Sequence, residues 1–131
     1  LDDLGLRPAV ERICREFREV HGVTLQLSIQ MPTAQRLAPA IEMCVFRVLQ
    51  ESLTNAIRHA RASAINVQLQ ETPSGLTLVV EDDGCGFEPA STPEGVGLSR
   101  SIRGRIADVG GRVELTSNPG HGTEVRIHLG G

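Results

Sequence analysis

A chain of 131 residues with a net charge of −3 is long enough for one domain that buries about two-thirds of its surface. It has no basic run of the kind a nucleic-acid surface wants. All thirteen basic residues are Arg, and the lack of Lys rules out a Walker-type phosphate loop and a Schiff-base amine. Cys14, Cys44 and Cys85 are odd in number and far apart, which excludes a disulfide ladder or zinc pattern and suits a reducing, cytoplasmic compartment. No apolar run approaches the ~20 residues of a membrane span, and no signal peptide is evident. The first residue is Leu1 rather than Met, so a piece of a longer chain is expected.

After a short lead-in over residues 1–6, Pro8 suits a first helical turn. Ala9, Val10, Ile13, Phe17 and Val20 then recur at helical spacing, and Gly22 stops the helix. Val23, Leu25, Leu27 and Ile29 alternate with polar residues, as a half-buried strand does. A second helix is predicted from Pro39 to about Arg61, with Ile41, Cys44, Val45, Val48, Leu49, Ser52, Leu53, Ala56 and Ile57 on its inner side. Ile65, Val67 and Leu69 form a second strand. A turn at Thr72-Pro73-Ser74-Gly75 joins it to a third, carrying Leu76, Leu78 and Val80. Residues 87–99 contain Pro89, Pro93, Gly95 and Gly97 and read as a mobile loop. Leu98, Ile102, Ile106 and Val109 are spaced for a third helix, which Gly110-Gly111 stops. Two strands follow, with Val113 and Leu115 in one and Val125, Ile127 and Leu129 in the other.

Two places carry chemistry. Asp82 keeps the phase of Leu76, Leu78 and Val80, so the alternation aims a carboxylate at the buried side, where an unpaired acid is costly. Gly84 and Gly86 follow, and bare backbone there allows a close approach. The pattern fits a pocket whose ligand donates a hydrogen bond to the acid, or an acidic turn that merely ends a strand. On the second helix, Asn55 lies ~40° and His59 ~80° from Glu51, with Arg58 ~20° to the other side. This flank fits either a magnesium and phosphate site or a solvated face whose Arg and His favour the helix C-terminus.

All five strands are apolar on one side only, which excludes a doubly wound parallel sheet covered on both faces. The element order predicts an α+β domain: a two-layer α/β sandwich, with a five-stranded mixed, mostly antiparallel sheet and three helices on one face. Thr123 shares the buried phase of its strand, as Asp82 does, so a ligand is expected between sheet and helices. Gly95-Val96-Gly97 lacks a third glycine and does not directly follow a strand, which argues against a dinucleotide fingerprint.

Together these pieces resemble the ATP-binding catalytic domain of sensor histidine kinases, the Bergerat ATP-binding fold shared with DNA gyrase, the Hsp90 chaperones and MutL. The resemblance covers nearly the whole chain, 1–131, as one catalytic domain. Gln50-Glu51-Ser52-Leu53-Thr54-Asn55-Ala56-Ile57-Arg58-His59-Ala60 resembles the family's N box, and Asp82-Asp83-Gly84-Cys85-Gly86-Phe87 its first glycine box. Gly95-Val96-Gly97-Leu98 resembles the second glycine box, and Gly120-His121-Gly122-Thr123 the glycine-threonine motif. The short loop between the glycine boxes is similar to that of the nitrate-sensor and desaturase-regulating subfamily.

The resemblance implies that Asp82 accepts a hydrogen bond from the adenine amino group. Gly84 and Gly86 would give backbone access to the base, and Thr123 would support the same network. It implies that Asn55 holds Mg2+, that Glu51 acts at the γ-phosphate, and that His59 and Arg58 face the phosphates. Gly95, Gly97 and Leu98 would form the lid over the triphosphate. The implied cofactors are ATP and Mg2+. The implied activity is phosphoryl transfer to a histidine on a separate dimerisation domain, absent from this chain, with a response regulator downstream. Neither nucleic acid nor membrane would contact the domain, and alone it would be a monomer. Arg100, Arg103 and Arg105 read as solvated surface. Two other readings remain: an anti-sigma-factor-type serine kinase of the same fold, and a degenerate docking module without turnover.

Overall fold

The computed structural model describes residues 5–31, 37–58, 61–73, 75–84, 100–117 and 122–130. Helix α1 (Leu6–His21) turns Leu6, Ala9, Val10, Ile13 and Cys14 inward. It ends where Gly22 takes left-handed backbone, φ 65°, and donates its N–H to the Arg18 carbonyl at 3.0 Å, a turn that needs no Cβ. Strand β1 (Thr24–Gln30) follows. Helix α2 (Pro39–Arg58) buries Cys44, Val45, Val48, Leu49, Leu53 and Ala56.

Arg58 is the last described residue of the helix, and at Arg61, near which periodicity predicts its end, the chain is no longer helical. Two observations explain why. Arg61 has φ 54°, the left-handed region, and the Ala62 N–H reaches back six residues to the Ala56 carbonyl at 2.9 Å. A bond that reaches back six residues is wider than the four-residue reach of an α-helix, so it closes the helix rather than continuing it.

Strands β2 (Ala64–Thr72) and β3 (Gly75–Asp82) form the expected hairpin. Helix α3 (Arg100–Asp108) precedes β4 (Arg112–Ser117) and β5 (Thr123–Gly130). The sheet order is β1-β2-β3-β5-β4; only β1 and β2 are parallel, and every other neighbouring pair is antiparallel. Its apolar face carries Leu25, Ile65, Val67, Leu69, Leu76, Leu78, Val80, Val125, Ile127 and Leu129, all in one core with the helices. Helix α1 packs on α2 and β1, α2 packs on β3 and β5, and α3 packs on α2 and β4. This is the predicted α+β sandwich. Val79 departs from strict alternation: it faces the polar side yet is buried, in register between Gln68 and Arg126 on the two flanking strands.

Two contacts fasten the end of β3. Asp83 receives the Ser63 N–H at 2.8 Å, the Ser63 hydroxyl at 2.7 Å and the Ala64 N–H at 2.9 Å, and donates its own N–H to the Ala64 carbonyl at 3.2 Å. The Ala64 N–H, then the two Ser63 donors, hold its carboxyl below the usual 3.8. On the other side, Gly122 has φ 82°, and a Cβ there would run into the Asp82 carbonyl oxygen.

Replacing Gly122 with Ala therefore meets both backbone strain and a collision. A loss of ~1–3 kcal/mol in unfolding free energy is expected from urea titration. The Asp83 clamp gives a pH signature. A carboxyl whose folded pKa is lowered adds stability that is fully present above 3.8 and is lost as pH falls through the lower folded value. Asp83→Ala melts below wild type at neutral pH, and the two melting curves converge in acid.

Candidate functional site

The helix-facing side of β3 runs Leu76, Leu78, Val80, all buried, and then Asp82, half-buried. Asp82 sits in register between Ile65 of β2 and Thr123 of β5. Its carboxylate accepts the Gly84 N–H at 2.8 Å, and the backbone N–H of Thr123 also stabilises the charge. Burial dominates nonetheless and, aided by the neighbouring Asp83 charge, raises the pKa above 3.8. The consequence for folding is opposite in sign to that of Asp83. A raised folded pKa contributes stability that is fully present below 3.8 and is lost as pH rises through the folded value. Near neutral pH the domain thus carries a partly desolvated acceptor that favours a donor from a ligand.

Helix α2 brings its last turns to the same end of the sheet. The Ala62–Ala56 bond folds the chain back, the Thr24 N–H donates to the Ser63 carbonyl at 3.0 Å, and Asp83 holds Ser63 and Ala64. Glu51 and Asn55 are half-buried on this helix, and Arg58 is exposed at its end. Thr123, half-buried, opens β5 beside Asp82, and Gly84 is buried. The structure therefore gathers Asp82, Gly84 and Thr123 at one point, with the flank bearing Glu51 and Asn55 at the same end. His59, Gly86, Gly95, Gly97 and Leu98 lie outside the described residues, as does Cys85. Arg100, Arg103 and Arg105 are exposed, in keeping with solvated surface.

Sequence reasoning gave no separate role to Asp83 or Gly122. The phase that aims Asp82 inward also aims Asp83 outward, and that was the available signal. A cavity of about 320 Å³ opens at this strand end, lined by Thr24, Gln26, Ala64, Ile65, Asn66, Glu81, Asp82 and Asp83. Thr24, Gln26, Asn66, Glu81 and Asp83 belong to the polar side of the sheet, while Ile65 and Asp82 reach the same cavity from the helix-facing set. Among the described residues no group of three or more His, Cys, Asp or Glu is placed to hold a metal. No helix among them is long and apolar enough to cross a membrane.

Comparison with known proteins fits this geometry. Residues 40–130 match the family model of histidine kinase-, DNA gyrase B- and HSP90-like ATPases. The histidine-protein kinase/phosphatase UhpB of Salmonella typhimurium is 38% identical over 98% of this chain, and the oxygen sensor histidine kinase NreB of Staphylococcus carnosus is 33% identical over 98%. The chain spans only 25% and 37% of those two relatives. Among solved structures, the histidine kinase domain of the blue-light activated kinase from Erythrobacter litoralis EL346 superposes with a TM-score of 0.72 at 25% identity, covering 92% of this chain and 58% of that one. By its family match and its fold, the chain belongs to the histidine kinase-, DNA gyrase B- and HSP90-like ATPases.

Proposed function

We propose that residues 1–131 are the catalytic domain of a longer, cytoplasmic-facing histidine kinase, which binds Mg-ATP and passes its γ-phosphoryl group to a histidine on a separate dimerisation domain. A response regulator then receives the group. The observation that carries this reading is Asp82: a half-buried carboxylate on the helix-facing side, its pKa raised by burial, with Gly84 and Thr123 beside it. Such an acid suits the amino group of adenine. The backbone N–H groups of Gly84 and Thr123 fix the carboxylate so that its remaining lone pairs face the base.

Asn55 offers a side-chain carbonyl oxygen, the hard donor that magnesium takes alongside substrate phosphates, and no cage of protein carboxylates is required. Bound magnesium supplies charge neutralisation on the phosphates. Glu51 orients the groups at the γ-phosphate, while Arg58 and His59 add positive charge and hydrogen bonds to the triphosphate. Gly86 gives access to the base, and Gly95, Gly97 and Leu98 cover the phosphates. In the transfer, the bond from the γ-phosphorus to its bridging oxygen breaks as a bond to the acceptor imidazole nitrogen forms, and ADP leaves. Catalysis of this kind rests on positioning and electrostatic stabilisation.

Calorimetric titration of Mg-ATP into wild type and Asp82→Ala tests the adenine contact. Losing the acceptor and stranding its donor costs ~1–3 kcal/mol, roughly five- to 150-fold in affinity, with the fold retained by circular dichroism. Unchanged binding would remove adenine from Asp82. With radiolabelled ATP, the domain alone gains no acid-labile, base-stable phosphate, whereas the label moves to a cognate dimerisation domain when one is added. Self-labelling of the isolated domain contradicts the reading.

A further inference from the structure

Helix α2 carries one polar atom that neither the fold nor the proposed chemistry uses. Ser52 is only 5% exposed, and among the described residues its hydroxyl is the one buried side-chain polar atom that makes no hydrogen bond. A buried hydroxyl without a partner is costly, so such groups call for an explanation. The local remedy was available: a helical Ser or Thr can donate to the carbonyl four residues back. Thr54 does so, to Gln50 at 2.9 Å. Ser52 does not.

Its place on the helix gives the orphan hydroxyl a direction. At ~100° per residue, Ser52 lies ~60° from Asn55 and ~100° from Glu51. It is rotated off their half-buried flank and into the buried stripe of Leu49, Leu53 and Ala56. Helix α2 packs that stripe on β3 and β5, the strands that carry Asp82 and Thr123. Of the polar residues from Glu51 to Arg58, Ser52 is therefore the most deeply set. Between the layers, Ser52 is thus set deeper than Asn55, which stays on the flank.

We propose that Ser52 is a base-recognition residue, whose O–H donates to an adenine ring nitrogen beside the amino group, directly or through one water. The inference rests on the nucleotide reading of the site. Asp82, when ionised, can only accept, so it takes the amino group and leaves the neighbouring ring nitrogens, N1 and N7, in need of a donor. Ser52 supplies one from the helix side. Together the two residues form an acceptor–donor pair that matches the amino-purine edge and opposes a carbonyl at the same place.

The test is calorimetric titration of ATP, 1-deaza-ATP and 7-deaza-ATP into wild type, Ser52→Ala and Asp82→Ala. In Ser52→Ala, affinity for ATP falls about fivefold or more. Its melting temperature holds or rises, because an unpaired hydroxyl has been removed. One deaza analogue binds wild type more weakly than ATP does, yet binds Ser52→Ala as ATP does, the coupling a double-mutant cycle reads as direct. Wild-type affinity for ATP in Ser52→Ala, alongside a loss in Asp82→Ala, overturns the Ser52 inference and leaves the nucleotide reading standing. An affinity loss in Ser52→Ala that is equal for ATP and both analogues makes its role structural and overturns the inference too. Absence of ATP binding by wild type takes down both readings.

Discussion

At the end of β3, two consecutive carboxylates leave the sheet in opposite directions, and the rest of the site depends on that divergence. Asp83 turns to the solvent side and binds Ser63 and Ala64, which ties the segment after α2 to the start of β2. Asp82 turns to the helix side and is caught between Gly84 and the first residue of β5. Gly122 presses its backbone against the Asp82 carbonyl, so the turn before β5 is seated on the same residue. A single strand end thereby sets the exit of one helix and the entry of one strand.

The two acids also differ in how the fold treats their charge, and their pKa shifts run in opposite directions. Asp83 is satisfied several times over by short donors, and its lowered pKa marks a charge that the fold welcomes. Asp82 has backbone donors too, but burial outweighs them. A charge that the fold keeps at a cost is the pattern expected of a group reserved for a ligand. Ser52 repeats the pattern in neutral form: a buried hydroxyl left without a partner on the helix that covers β3 and β5.

Much of this was legible in the sequence because the sheet is one-sided. Period-2 alternation in Leu76, Leu78 and Val80 fixed which way Asp82 points, and the same rule gave the interlayer position of Thr123. Helical spacing gave the three helices and their buried faces. What periodicity could not give was how α2 ends, because Ile57 continues the apolar pattern into the turn that the Ala62–Ala56 bond closes. Strand order was likewise hidden: alternation tells which face a residue takes, and says nothing of its neighbour across the sheet. The parallel pairing of β1 with β2 is a tertiary fact of this kind. Ser52 was read as one more small member of an apolar stripe, and only the absence of a hydrogen-bond partner sets it apart.

The strand order has a consequence for how the domain matures on the ribosome. β5 is the last strand of the sheet in sequence, yet it lies between β3 and β4 in space. Until it slots in, β4 has no neighbour and β3 presents a bare edge. Asp82 then also lacks the Thr123 N–H that steadies its charge. Synthesis proceeds from the N-terminus, so the motifs around Glu51, Asn55 and Asp82 all emerge before the strand that completes their pocket. A nascent chain therefore carries Glu51, Asn55 and Asp82 while β3 still lacks the neighbour that seats Asp82, and the sheet around that strand end closes only with the insertion of an interior strand.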